Sequence, residues 1–222
     1  MITDIVIVPG APLLLPEYQG QTPAAPGLLE SCVAVVRKAV GSAHHVVVVH
    51  ASDREARSTK PPIGLRVADH LLAATHEDFE VEHVAVAWDA SLDECLAVGS
   101  GLEVERRTTL LVIADGSARR TEKAPGHLDP RAEVIDELIV GAIRGSAEGG
   151  LQRLLDLDPL ICSDLLVAGR APLQVLAAAA AAVDREGERA AYRVRVCEVS
   201  DPFGVLYVVA HLRTDDPGNG SV

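Results

Sequence analysis

The chain has 222 residues, 48% hydrophobic and only 3% aromatic, and 32 acidic against 20 basic side chains give a formal net charge of -12. Such content suffices for one full core of Val, Leu, Ile and Ala, which suits a parallel sheet under Ala-rich helices. The acidic balance argues against nucleic acid as a partner. No apolar run reaches the roughly 18–20 residues of a membrane span, and the opening MITDIVIVPG lacks a basic targeting start, so neither a membrane nor a secretory route is expected.

A first strand is predicted over 2–8, stopped by Pro9-Gly10-Ala11-Pro12, where two prolines and a glycine forbid continuation. After a long loop, Leu28, Leu29, Cys32, Val35, Val36 and Ala39 recur at helical spacing and predict a helix over 27–40. The VVVV run predicts a strand over 45–51, which delivers His50, Ser52 and Asp53 to the same edge as the first loop if the strands are parallel. A charged loop with Pro61 and Pro62 follows over 54–64. Then come a helix over 65–75, a strand over 81–88, and a helix over 91–99 with Ser91 as its N-cap.

The run 110–130, LLVIADGSARRTEKAPGHLDP, is the stretch most suited to chemistry. It begins as a strand of the kind buried on both faces, predicted over 108–114, and breaks into a polar, Gly-containing loop. In open α/β sheets such loops line the ligand crevice. Arg119, Arg120 and Lys123 make the loop locally cationic in an acidic protein, and guanidinium groups hold carboxylate or phosphate in a fork. A small anionic molecule is therefore the expected partner, held by Ser117, Arg119, Arg120 and Lys123, with Arg170 pointing at the same crevice. Asp115 and His127 are the acid–base candidates. The alternative reading is a solvated loop in which Asp115 caps a turn and the cations pair with Glu122, Asp129 or Glu133.

Beyond Asp129-Pro130 an amphipathic helix is predicted over 131–144, then two short helices over 151–157 and 159–167. The AGRAP sequence at 168–172 reads as a break before an Ala-rich helix reaching about residue 185. Two strands over 191–199 and 204–212 close the chain as a hairpin, and 214–222 read as a polar, disordered tail. The expected fold is a single three-layer α/β domain over 1–213, with a mainly parallel central sheet and a C-terminal antiparallel hairpin. Cys32, Cys95, Cys162 and Cys197 form no C-x-x-C pair, so reduced thiols and a cytoplasmic location are expected. Homo-oligomerisation stays open.

The motifs VPGAPLLLPE, VVVVHASD, VIADGSARRTEKAPGHLDP, AGRAPLQVL and DPFGVLYVVA, with the helix around 134–143, resemble the B-subunit-like proteins of the class III extradiol ring-cleavage dioxygenases, a superfamily that includes the Memo proteins. The resemblance covers nearly the whole chain. It implies an α/β fold and, in active relatives, a mononuclear non-haem iron site that opens a catechol ring with oxygen.

At the chemistry the chain departs from that pattern. Pro9-Gly10 stands where the family has Pro-His, Asp53 stands where its second histidine follows a serine, and Ala118 stands where its proton-transfer histidine closes a Ser-Asp-Leu-Ser-His motif. Cys197, ten residues before Tyr207, matches a Memo-like spacing. A rearranged metal site would draw on His50, Asp53 and Cys197. The expectation is a protein that has lost iron-dependent ring cleavage, binds no metal and keeps an anion pocket. Its alternatives are an active dioxygenase or other oxidoreductase using Fe(II) or another divalent ion at a rearranged site, and a non-catalytic interaction or structural protein.

Overall fold

The computed structural model describes residues 1–20, 24–41, 43–55, 58–104, 107–183 and 191–214. The expected tail, 214–222, lies outside the described residues apart from Thr214, which is in a strand, and the end of the Ala-rich helix beyond 183 lies outside them too. In chain order the elements are β1 (Ile2–Val8), α1 (Pro26–Val40), β2 (His45–Ser52), α2 (Ile63–Ala73), β3 (Glu80–Ala87), α3 (Leu92–Ser100), β4 (Thr108–Ile113), α4 (Arg131–Arg144), α5 (Pro159–Asp164), α6 (Arg170–Val183), β5 (Tyr192–Ser200) and β6 (Tyr207–Thr214).

The fold is α/β around one six-stranded mixed sheet of order β3-β2-β4-β1-β6-β5. The first four positions are parallel to one another, while β6 runs antiparallel to both β1 and β5. Alternation along each strand divides the apolar side chains between two faces. Ile5, Ile7, Val47, Val49, Leu110 and Val112 pack under α3, α4 and α6, and Val6, Val8, Val46, Val48, Leu111 and Ile113 pack under α1 and α2. Runs such as VVVV are thus needed by both layers at once. On the first face α3 and α6 approach so closely that a Cβ at Gly99 would overlap Val175 O and Ala178 Cβ, which is why the partner helix is built of alanine.

Several boundaries differ from expectation for physical reasons. Strand β3 is at the sheet edge, with Val81 37% exposed, so its apolar run is not buried on both faces. Helix α2 starts at Ile63, two residues earlier than expected, directly after Pro61-Pro62, with Pro62 in an extended conformation as its N-cap. Helix α6 starts at Arg170, inside the expected AGRAP break, and Pro172 sits in its first turn, where a missing N–H removes no helical bond. Strand β6 begins at Tyr207 and not at 204, since residues 204–206 pair with the 116–120 loop instead: Gly116 N–H donates to Leu206 O, Leu206 N–H to Ser117 O and Arg120 N–H to Gly204 O. It also runs to Thr214, two residues beyond the expected end at Leu212 and onto the first residue of the expected tail.

No helix among the described residues is long and apolar enough to cross a membrane.

Candidate functional site

β1 and β4 are parallel neighbours whose chains leave in opposite directions. After β1 the backbone passes to α1 on one face, and after β4 it crosses the 114–130 loop to α4 on the other. Such a switch point opens a crevice at the carboxyl ends of the two strands. The floor of that crevice is Gly10 beside Asp115, the Gly10 amide donating to Asp115 Oδ1 at 3.1 Å. Asp115 follows Leu111 and Ile113 in the strand's alternation and therefore belongs to the α1/α2 face. Burial pushes its carboxyl up to about 7 against the lowering effect of the Gly10 amide. Cys32 on α1 and Tyr207 on β6 feel the same carboxyl, and burial raises each of them to about 12. Asp115 is thus the group among these three that changes protonation near neutral pH.

Position 10 carries no side chain, and what bounds the gap is informative. A Cβ there would lie 3.1 Å from Ile113 Cγ2, 3.5 Å from Asp115 Oδ2 and 3.9 Å from the Cα of Gly64. Gly64 belongs to the first turn of α2, and its own Cβ position falls 3.3 Å from His50 Cβ. Two glycines from separate elements therefore bring the backbones of β1 and α2 together between Asp115 and His50. His50 is 2% exposed, and its Nδ1 meets Ala51 O at 3.1 Å. Burial lowers its pKa, so the ring is neutral around pH 7. The segment after β1 closes the outer wall: Arg66 of α2 pairs with Glu17 and lies over the Tyr18 ring, 5.5 Å from its centroid.

The central loop folds otherwise than its charge suggested. Ser117 is fully buried, and Asp136 on α4 accepts both its amide, at 2.9 Å, and its hydroxyl, at 2.6 Å. Arg120 donates to Asp136 Oδ2 and to Asp201 Oδ2, each at 2.8 Å. The cation is neutralised in place, though by Asp136 and Asp201 and not by the Glu122 or Asp129 that sequence proximity offered. Arg170 is 2% exposed and ties Trp88 O, Ala90 O and Gln174 Oε1 together, so it fastens the end of β3 to α6 and has no free fork for an anion. Arg119 is partly buried beside Gly126, with a buried Nε that has no hydrogen-bond partner, and Lys123 is exposed. His127 is exposed at φ 58°, its Nδ1 meeting only Glu122 O at 3.3 Å. Among the candidates from this motif, Asp115 alone belongs to the Gly10 crevice by its contacts.

The residues do not fit a mononuclear iron. Gly10 supplies no donor atom. Asp53 is exposed at the exit of β2, next to Arg54, which binds Asp89 and Glu94. Cys197 lies on β5, four sheet positions from the β2 strand of His50, about 19 Å at ~4.8 Å per strand. It also packs against the α3/α4/α6 face, opposite to the crevice. His50, Asp53 and Cys197 are therefore not brought together, and no group of three or more His, Cys, Asp or Glu residues among the described residues could hold a metal ion.

Comparison with protein-family models finds no match, and comparison with curated proteins finds none.

Two positions that shape this region lie outside the central motif. Gly64 falls in the expected 54–64 loop, although Pro61-Pro62 followed by an apolar helical pattern is a helix-start signal. Asp136 falls four residues after Ala132 and three before Ile139, on the buried stripe of α4, and an acid at such a position announces a buried polar partner.

Proposed function

We propose that this protein is a class III extradiol dioxygenase B-subunit-like protein that does not cleave rings through iron and instead holds a small organic molecule in the crevice at the ends of β1, β2 and β4. One observation carries the reading: at the switch point of the sheet Asp115 accepts the Gly10 amide and titrates at about 7, with a neutral, buried His50 across Gly64. A carboxyl pushed up to about 7 by burial suits proton transfer to or from a bound molecule, and such perturbed groups cluster where ligands bind. Gly10 and Ala118 support the loss of ring cleavage, because a glycine ligates nothing and an alanine moves no proton.

Two experiments test this. A thermal-shift screen of neutral and charged small molecules is run on the wild type and on Gly64→Ala, whose new methyl would press on His50 Cβ and Ile113 Cγ2. Compounds that stabilise the wild type and not the variant are expected; absence of any stabilising compound would sink the pocket. Iron-loaded protein is also given catechols under an oxygen electrode. Stoichiometric iron with oxygen uptake would overturn the loss of ring cleavage.

A further inference from the structure

Strand β5 ends the sheet, and no described strand pairs with its outer edge. The strand is nine residues long, and the unpaired amides and carbonyls of such an edge are a template for another strand. Ser146 already donates to the carbonyl of Tyr192, so further pairing starts at Arg193. The middle of the edge carries a bulge. The register against β6 slips between Val194 and Val196, so these two residues, which plain alternation would put on one face, pack on opposite ones: Val194 with the α3/α4/α6 layer, Val196 with the α1/α2 layer. Cys197 returns to the face of Val194, and alternation places Arg193 and Glu198 on the face of Val196.

We propose that β5 is a homodimer seam, in which two copies of this chain pair antiparallel through residues 193–198 with Val194 opposite Cys197, joining two six-stranded sheets into one. A regular strand laid against β5 matches its faces on one side of the bulge and mismatches them on the other. A second β5 carries the same bulge, and in this register the two bulges meet, so the faces agree from Arg193 to Glu198. A slip of one residue opposes Val194 to Val196 or to Glu198, each on the wrong face. The register also matches the charges. Glu198 is exposed and makes no hydrogen bond or ion pair among the described residues. In the seam it stands opposite Arg193 of the second copy and diagonal to that copy's Arg195, twice over by the two-fold symmetry. Neither arginine has to give up its other contacts, because a guanidinium has several donors. Two copies with a formal net charge of -12 repel over most of their surface, whereas this stretch, with two arginines to one glutamate, is locally cationic and meets the acidic field of the other copy favourably.

Sedimentation equilibrium of the wild type from about 1 to 500 µM should show a reversible monomer–dimer equilibrium, since a seam of this size belongs among weak contacts. Glu198→Arg, at an exposed position, turns each opposite-charge pair into a like-charge one and should raise the dissociation constant about tenfold. Val194→Cys tests the register. Its new thiol lies opposite Cys197 of the second copy, with about 4.5–5.5 Å between Cβ atoms, close enough for a disulfide. Mild oxidation should therefore give this variant a covalent dimer. The wild type should give none, because its two Cys197 side chains lie three residues apart along the seam, about 10 Å. A monomer at every concentration would overturn the proposal. So would a dimer that Glu198→Arg leaves unchanged, or one that Val194→Cys fails to cross-link, since either places the contact on another surface.

Discussion

Asp136 on α4 accepts both hydrogen-bond donors of Ser117, the amide at 2.9 Å and the hydroxyl at 2.6 Å, and takes Arg120 on the same carboxylate at 2.8 Å. This one buried acid turns the Ser117 and Arg120 part of the loop from an expected ligand surface into a structural clasp. It also explains how a motif dense in serine and arginine passes beside a crevice without contributing to it.

Replacing Asp136 by alanine should destabilise the fold by about 3–5 kcal/mol, since it strands a buried hydroxyl, an amide and a partly buried guanidinium. Ser117→Ala removes one neutral donor while leaving Asp136 its other partners, and should cost only about 1–2 kcal/mol. Urea unfolding of the two variants measures both. Equal losses would mean that Ser117, not the acid, is what the loop depends on.

Asp115 makes stability depend on pH in a direction opposite to that of an ordinary paired acid. Its native pKa, about 7, lies above the ordinary 3.8, so ionisation opposes folding: the penalty is absent below about pH 4, grows as pH rises to 7, and is constant above. Asp115→Asn should therefore be more stable than wild type by up to about 4 kcal/mol near pH 8, with the difference vanishing toward pH 4. His50 acts in the other sense, because its lowered pKa costs stability as pH falls through about 6.5, but it is common to both proteins and cancels. A pH series of unfolding midpoints gives the curve. A difference that is flat in pH would place the Asp115 carboxyl in water.

The four thiols should separate by reactivity. Burial raises Cys32 and Cys162 to about 12 and raises Cys95 as well, while Cys197 alone of the four is not buried. A thiolate is the reacting species, so a chromogenic disulfide should titrate one thiol quickly in the native protein and all four in denaturant. Mass mapping that finds Cys32 labelled first would show the α1 layer opening before the β5 edge reacts.

Asp4 and His211 form a buried pair across β1 and β6, 2.8 Å apart and each 1% exposed, with Asp4 Oδ2 and His211 Nδ1 left without partners. Either single change, Asp4→Ala or His211→Ala, should cost about 3–5 kcal/mol by leaving the other polar group buried alone. The double Asp4→Val, His211→Leu variant should lose less than either, because no polar group is then stranded. Additive losses in the double-variant cycle would show that the two groups do not depend on each other.

Much of the architecture was legible because it rests on local periodicity. The bounds of β1 and α4 follow from apolar patterning, and Ser91 with Glu94 forms the capping box that opens α3. The parallel order could be anticipated from alternating apolar runs and amphipathic helices, since each pattern must bury one face or two. The loop residues were legible only as residue types. Whether a serine or an arginine is available to a ligand depends on who else claims its hydrogen bonds, and that partner need not be near in sequence.

By itself the sequence determined the layered α/β fold, the hairpin that ends it, and the placing of Gly10, His50 and Asp115 at one edge of a parallel sheet. Only the tertiary structure decided which of the edge residues are engaged. Arg120 is neutralised by Asp201, 81 residues away, and Arg170 donates to the carbonyl of Ala90, 80 residues away, while Gly64 arrives opposite Asp115 on a helix that no local pattern ties to β4. Burial and hydrogen-bond satisfaction are properties of the packed molecule. A periodic pattern states which face of an element goes inward, but the polar groups it will meet there are set by the register of strands and helices far apart in the chain.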